Sequence, residues 1–163
     1  VMFVFGSSII KDPILSLTPK AFVNLHLGIS PYYRGSGTNF WPFVNNELEY
    51  VGSTLLHLDP GIDTGDIITH VRPKFEIGDN VHTIGCKTIF ESTKKMIEIL
   101  RNIEDNKSLP RTKQWEISNE RYYKKKDFNE KILSQYNKNL TNGIIEKFIM
   151  SKKNEPKLCH LNK

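Results

Sequence analysis

The chain opens on an unbroken apolar run, VMFVF at 1–5, closed by Gly6–Ser7–Ser8. A continuous apolar run this short, bounded by turn residues, predicts a buried parallel strand ending in a loop. Pro13 begins a short helical turn, and a second apolar run, Ala21–His26, leads to Gly28 and Ser30–Pro31, where regular structure must stop. A loop rich in glycine and aromatics follows at Tyr32–Thr38, then a short helix around Asn39–Val44. β-Branched and apolar residues dominate Glu49–Leu58 and Ile67–Phe75, and Asp59–Asp66 forms a tight loop between them. Asp79 or Asn80 caps a long helix running to about Ile103. Its apolar positions Val81, Ile84, Ile89, Met96, Leu100 and Ile103 approximate a 3.6-residue repeat, with Lys87, Glu91, Lys94 and Glu98 opposite.

The pattern changes near Asn106–Pro110, which reads as a linker. Trp115 and Tyr122–Tyr123 lie in a β-leaning stretch. Asp127 with Glu130 suits a capping box that opens a helix carrying Phe128, Ile132, Leu133 and Tyr136 on one side. Gly143 breaks that helix before a short one containing Ile144, Ile145, Phe148 and Ile149. The chain thus divides into a body at 1–105, a tail with a short strand and helices at 106–150, and a final stretch at 151–163 in which no order is expected. Alternation of strand, turn and helix in the body predicts an α/β architecture with an open, mostly parallel sheet. Ligands of such sheets bind beyond the carboxyl ends of the strands.

Composition narrows this picture. With 163 residues, 38% hydrophobic and 25% charged, the chain has the size and apolar content of one globular domain rather than of a disordered or low-complexity segment. No run reaches the roughly 18 apolar residues of a membrane span, and no signal-peptide pattern opens it. A chain that begins with Val1 inside a strand pattern reads as the later part of a longer one. The charge of +5 is uneven: residues 1–100 carry 8 Lys and Arg against 10 Asp and Glu, and residues 101–163 carry 15 against 8. Basicity therefore belongs to the tail. Its clusters Lys124–Lys126 and Lys152–Lys153 suit either a solvated lysine-rich face or contact with a polyanion, the first being favoured. Cys86 and Cys159 make neither a metal spacing nor a disulfide framework, so a reducing, cytoplasmic setting is expected.

Three features carry candidate chemistry. Asn24 and His26 are two apart in a strand, so they project from one face at its carboxyl end. An amide donor beside an imidazole suits a reaction that develops an oxyanion and moves a proton; a turn-capping Asn and a packed His are the alternative. The Asp59–Asp66 loop holds three carboxylates, with Asp63 between Gly61 and Gly65. A carboxylate there can orient His26 and stabilise its charged form, or simply form a polar turn. A metal site drawn from His57, Asp59, Asp63 or His70 lacks recognisable ligand spacing. The loop Ser30–Thr38 offers Arg34 and hydroxyls to an anionic substrate, although its glycines do not make a P-loop. His57, His70 and His82 have no evident partner. No G-x-S-x-G elbow supports a serine hydrolase.

Taken in order, FGSSII at 5–10, NLHLGISPYYRG at 24–35 and GSTLLHLDPGIDTGDII at 52–68 resemble the folate-dependent formyltransferases, whose members act on methionyl-tRNA, glycinamide ribonucleotide and sugar amines. The resemblance covers about Val1–Phe75, and RYYKKKDF at 121–128 is similar to a tail element of some members. It implies a Rossmann-like formyltransferase fold lacking its first strands, with a helical carboxy-terminal tail. The implied donor is 10-formyltetrahydrofolate, without a metal, and the implied acceptor is a primary amine of a small molecule such as an amino sugar or nucleotide. Transfer would pass through a tetrahedral intermediate. Asn24, His26 and Asp63 occupy the catalytic positions. Ser8, Ile9 and Ile10 with Leu58, Asp59, Gly61 and Ile62 occupy the folate positions, and Tyr33, Arg34 and Gly35 face the acceptor. Initiator methionyl-tRNA is the alternative acceptor, favoured only by the basic tail; a non-catalytic folate-binding or interaction protein is the alternative of another class. Gly28 stands where many relatives have Ser, which bears on the acceptor more than on the chemistry.

Overall fold

Loop length decides the sheet. The computed structural model describes residues 1–17, 22–151 and 155–161. In it β1 (Met2–Phe5), β2 (Phe22–His26), β4 (Ser53–His57) and β5 (Ile67–Val71) form one four-stranded sheet in the order β1-β2-β4-β5. β1 and β2 run parallel, with Val4 opposite Asn24. The other two pairings are antiparallel, with His26 opposite Thr54 and Ser53 opposite Val71. The α/β layering matches the sequence pattern, but the sheet is mixed rather than mostly parallel. The segment joining β4 to β5 is too short for the crossover that a parallel return needs, so the chain must fold back as a hairpin. Ala21, placed in the second apolar run by the sequence, lies outside the described residues.

Burial follows position in the sheet. Every residue of β4 and β5 is buried. β1 was expected to be buried, yet only Val4 is, and Met2 and Phe5 are exposed. It is an edge strand among the described residues, so one of its sides has no strand to cover it.

Helix α2 (Val81–Glu104) begins as expected at Asn80, whose side chain accepts hydrogen bonds from the His82 and Thr83 backbone while Thr83 Oγ1 accepts from Asn80 N–H. Its buried stripe differs from the predicted one. Ile84, Thr88, Ser92 and Ile99 face inward, whereas Ile89 and Leu100 are exposed. Thr88 and Ser92 donate to carbonyls one turn back, Ile84 and Thr88 respectively, and Ser92 Oγ lies 2.6 Å from Ser53 Oγ. Small hydroxyl residues, internally satisfied, let the helix lie close against β4 where larger apolar side chains would hold it off. Ile99 joins Val23, Leu25, Leu55, Ile68 and Leu161 in one core. Ile84 joins a second, built from Tyr33, Trp41, Phe43, Leu48 and Val51.

The segments between residues 121 and 150 pack on that second core. Strand β6 (Arg121–Tyr123) pairs in parallel with β3 (Tyr33–Gly35), and α1 (Trp41–Asn45) packs against α3 (Glu130–Thr141). Tyr136, Ile144 and Ile145, from α3 and α4 (Ile144–Met150), complete the cluster. Asn129 caps α3, accepting from Lys131 and Ile132 N–H, and Gly143 ends it at φ +70°. Asp127, expected as that cap, instead accepts from Lys124 N–H and closes the preceding turn. Lys152, Lys153, Asn154, Asn162 and Lys163 lie outside the described residues. In the final stretch, where no order was expected, Cys159 exchanges hydrogen bonds with His70, and Leu161 is buried.

Candidate active site

Strand alternation puts Asn24 and His26 on one face at the end of β2, and the β4–β5 loop brings Asp63 to meet them. Asn24 Nδ2 donates to Asp63 Oδ1 at 3.3 Å, and His26 Nδ1 lies 3.3 Å from the same oxygen. The other carboxylate oxygen accepts the Gly35 N–H at 3.1 Å. The side chains of His26 and Asp63 are only 6% and 11% exposed, so their attraction is little screened by solvent. His26 Nε2 faces the Tyr33 carbonyl at 2.9 Å. Each ring nitrogen therefore faces an oxygen acceptor.

Local backbone makes this convergence. Asp63 has φ +55°, the left-handed region, at the tip of its loop. Gly65 is required beside it, since a Cβ there would sit 1.7 Å from the His57 carbonyl. Gly28 makes room for the imidazole: its Cβ would lie 2.5 Å from His26 Nε2 and 2.7 Å from Thr38. The Asp59 carboxylate works within the loop, accepting from Gly61 N–H at 3.1 Å and from Thr64 Oγ1 at 2.8 Å.

The trio opens on a cavity of about 1010 Å³. Ser8, Ile9 and Ile10 line it on one side and Leu58, Asp59, Gly61 and Ile62 on another, so every residue singled out for folate contact reaches this space together with Asn24, His26 and Asp63. Of the residues singled out for the acceptor, Gly35 lines the cavity. The Tyr33 ring points instead into the second core, where its hydroxyl donates to Glu47 and accepts from Asn45. Burial, reinforced by Glu47, pushes that phenol far up from its ordinary range. Arg34 pairs with Glu120. Tyr33 thus reaches the site through its carbonyl rather than its ring.

His57 and His70 are buried strand residues. His57 Nε2 donates to the Pro110 carbonyl at 2.9 Å and burial lowers its pKa; His70 Nε2 donates to the Ser30 carbonyl at 2.8 Å. Among the described residues no group of three or more His, Cys, Asp or Glu is arranged to hold a metal ion, and no helix is long and apolar enough to cross a membrane.

Sequence reasoning did not place Tyr122, Lys124 or Lys125 at the cavity, nor Gln114 beside it. The tail motif RYYKKKDF was the available signal for three of these, because pairing of β6 with β3 carries it to the cavity wall. Nothing local marks Gln114.

No family model matches the chain. It is 34% identical over 106 residues to the methionyl-tRNA formyltransferase of Desulforamulus reducens, a match covering 65% of this chain and 33% of that relative. The chain spans about a third of the length of the curated relatives it matches. Among solved structures it is similar to the formyltransferase PseJ of Anoxybacillus kamchatkensis, in complex with UDP-4,6-dideoxy-4-formamido-L-AltNAc and tetrahydrofolate. The TM-score is 0.68 with 26% identity, over 81% of this chain and 67% of that one. It is also similar to an N-formyltransferase of Helicobacter canadensis in complex with folinic acid and dTDP-3-aminofucose, at a TM-score of 0.57 and 31% identity over 66% and 39% of the two chains.

Proposed function

We propose that this chain is a folate-dependent formyltransferase whose site transfers a formyl group from 10-formyltetrahydrofolate to a primary amine of a small molecule, an amino sugar or a nucleotide. The observation that carries the reading is the convergence of Asn24, His26 and Asp63 at the wall of one large cavity. The cavity fits the donor: apolar Ile9, Ile10 and Ile62 flank a slot edged by the backbone of two loops, which suits a flat ring rich in amide groups. When bound, the folate supplies the activated formyl group.

The residues divide the work by their hydrogen bonding. Asn24 uses one N–H on Asp63 and keeps the other for the formyl oxygen as negative charge develops there. His26 Nε2 is held towards the site by the Tyr33 carbonyl, and a formyl oxygen gaining charge is the stronger acceptor and displaces it. Asp63 holds the Nδ1 side of the ring and accepts the proton that the attacking amine must lose; that proton would pass to the folate nitrogen as its bond to the formyl carbon breaks. Gly35 N–H fixes the second carboxylate oxygen, so Asp63 cannot swing out of line.

Supplying the full-length protein with 10-formyltetrahydrofolate and a panel of amines, and following release of tetrahydrofolate, tests the reading. Turnover of at least one nucleotide-linked amino sugar is expected, reduced about 10²–10³-fold by Asp63→Asn. No turnover above that variant for any amine defeats it. A second reading, formylation of initiator methionyl-tRNA, is favoured by the Desulforamulus relative and by Lys124 and Lys125 at the cavity rim. It requires tRNA affinity that falls steeply with salt.

A further inference from the structure

We infer that Gln114 is a positioning residue for Asp63, acting through the backbone of the β4–β5 loop; the inference rests on the proposed formyl transfer at this site. Its side-chain Nε2 donates to two carbonyls of that loop, Asp63 at 2.7 Å and Gly65 at 2.9 Å. One amide group thus spans the residue that presents the carboxylate and the glycine two positions on. Asp63 sits in the left-handed region, uncommon for a non-glycine residue although Asp enters it more readily than most. The two donations hold it there from a segment about fifty residues away.

The segment is itself fastened along the same strands. Pro110 accepts from His57, Arg111 pairs with Asp66, and Thr112 exchanges backbone hydrogen bonds with Ile67 at 2.8 and 3.0 Å. Gln114 is the member of this strap that reaches the loop tip, so the strap anchors and Gln114 aims. Withdrawing its donation frees the Asp63 carbonyl, the left-handed turn relaxes, and the carboxylate leaves the shared contact with Asn24 and His26.

Gln114→Glu, which keeps the shape and removes both N–H donors, and Gln114→Ala test this in the full-length protein. Turnover is expected to fall about 10–100-fold in both, with the amine KM changed less than about twofold, because alignment of the catalytic group is lost rather than substrate binding. The Nδ1 proton of His26 that faces Asp63, followed by NMR, is expected to shift or disappear in both variants while the rest of the spectrum stays folded. Unchanged turnover in Gln114→Glu, alongside an inactive Asp63→Asn, overturns the inference. If wild type itself turns over no amine, the functional reading fails instead, and an unaltered His26 Nδ1 proton in the variants overturns the positioning role by itself.

Discussion

Replacing His70 by asparagine is expected to flatten the acid side of the stability profile. His70 is 3% exposed near the end of β5, with Nε2 donating to the Ser30 carbonyl at 2.8 Å and Nδ1 accepting the Cys159 N–H at 2.8 Å. Burial drives its pKa from 6.5 down to about 4; the Ser30 carbonyl opposes the shift, and His160 adds to it. Above the unfolded value neither state is protonated and the full stability is present. As pH falls below it, the unfolded chain takes up a proton that the folded ring refuses, so stability is lost progressively until the folded value is passed. A shift of this size corresponds to about 3 kcal/mol at about 1.4 kcal/mol per unit, most of it lost by about pH 4.5. The neutral amide of asparagine does not titrate, so this loss disappears in the variant. Urea unfolding at several pH values between about 7 and 4.5 measures it, and comparing the two proteins cancels the parallel contribution of His57, whose pKa burial also lowers. Stability curves that run parallel, offset by a constant, would refute the assignment of this loss to His70.

Gly28→Ala is expected to cost about 10²-fold in turnover while leaving circular dichroism unchanged, because a Cβ 2.5 Å from His26 Nε2 must push the ring off its line; equal rates would show that the ring has room to spare. Asn80→Ala removes the acceptor for two backbone N–H groups at the start of α2 and is expected to destabilise the protein by about 1 kcal/mol in denaturant titrations. Ile10→Trp is expected to weaken folate binding measured by calorimetry, since Ile10 lines the cavity beside Ile9; unchanged affinity would move the pterin slot elsewhere.

Legibility in the sequence followed the range of the interactions. Strand periodicity placed Asn24 and His26 on one face, a local fact that holds in the structure. Asn80 as a cap and Gly143 as a breaker are of the same kind. In the Asp59–Asp66 loop the left-handed residue is Asp63 itself, and Gly65 serves the close approach of the His57 carbonyl. Where local signals misled, a neighbour decided. Asn129 displaced Asp127 as cap, and the inward face of α2 carries Thr88 and Ser92, with Ser92 against Ser53, and not the apolar residues Ile89 and Leu100.

By itself the sequence determined which residue types stand at the ends of which strands, and therefore which chemistry can be assembled. Tertiary structure alone decided that the sheet is mixed, that the Tyr33 ring turns away while its carbonyl meets His26, and that β6 and Gln114 come back from residues 114–123 to wall and brace the site. The physical reason is separation along the chain. A strand's alternation or a turn's glycine acts over a few residues and is written there. A side chain that donates to a carbonyl fifty positions earlier has no local signature, because its partner exists only once the chain has folded.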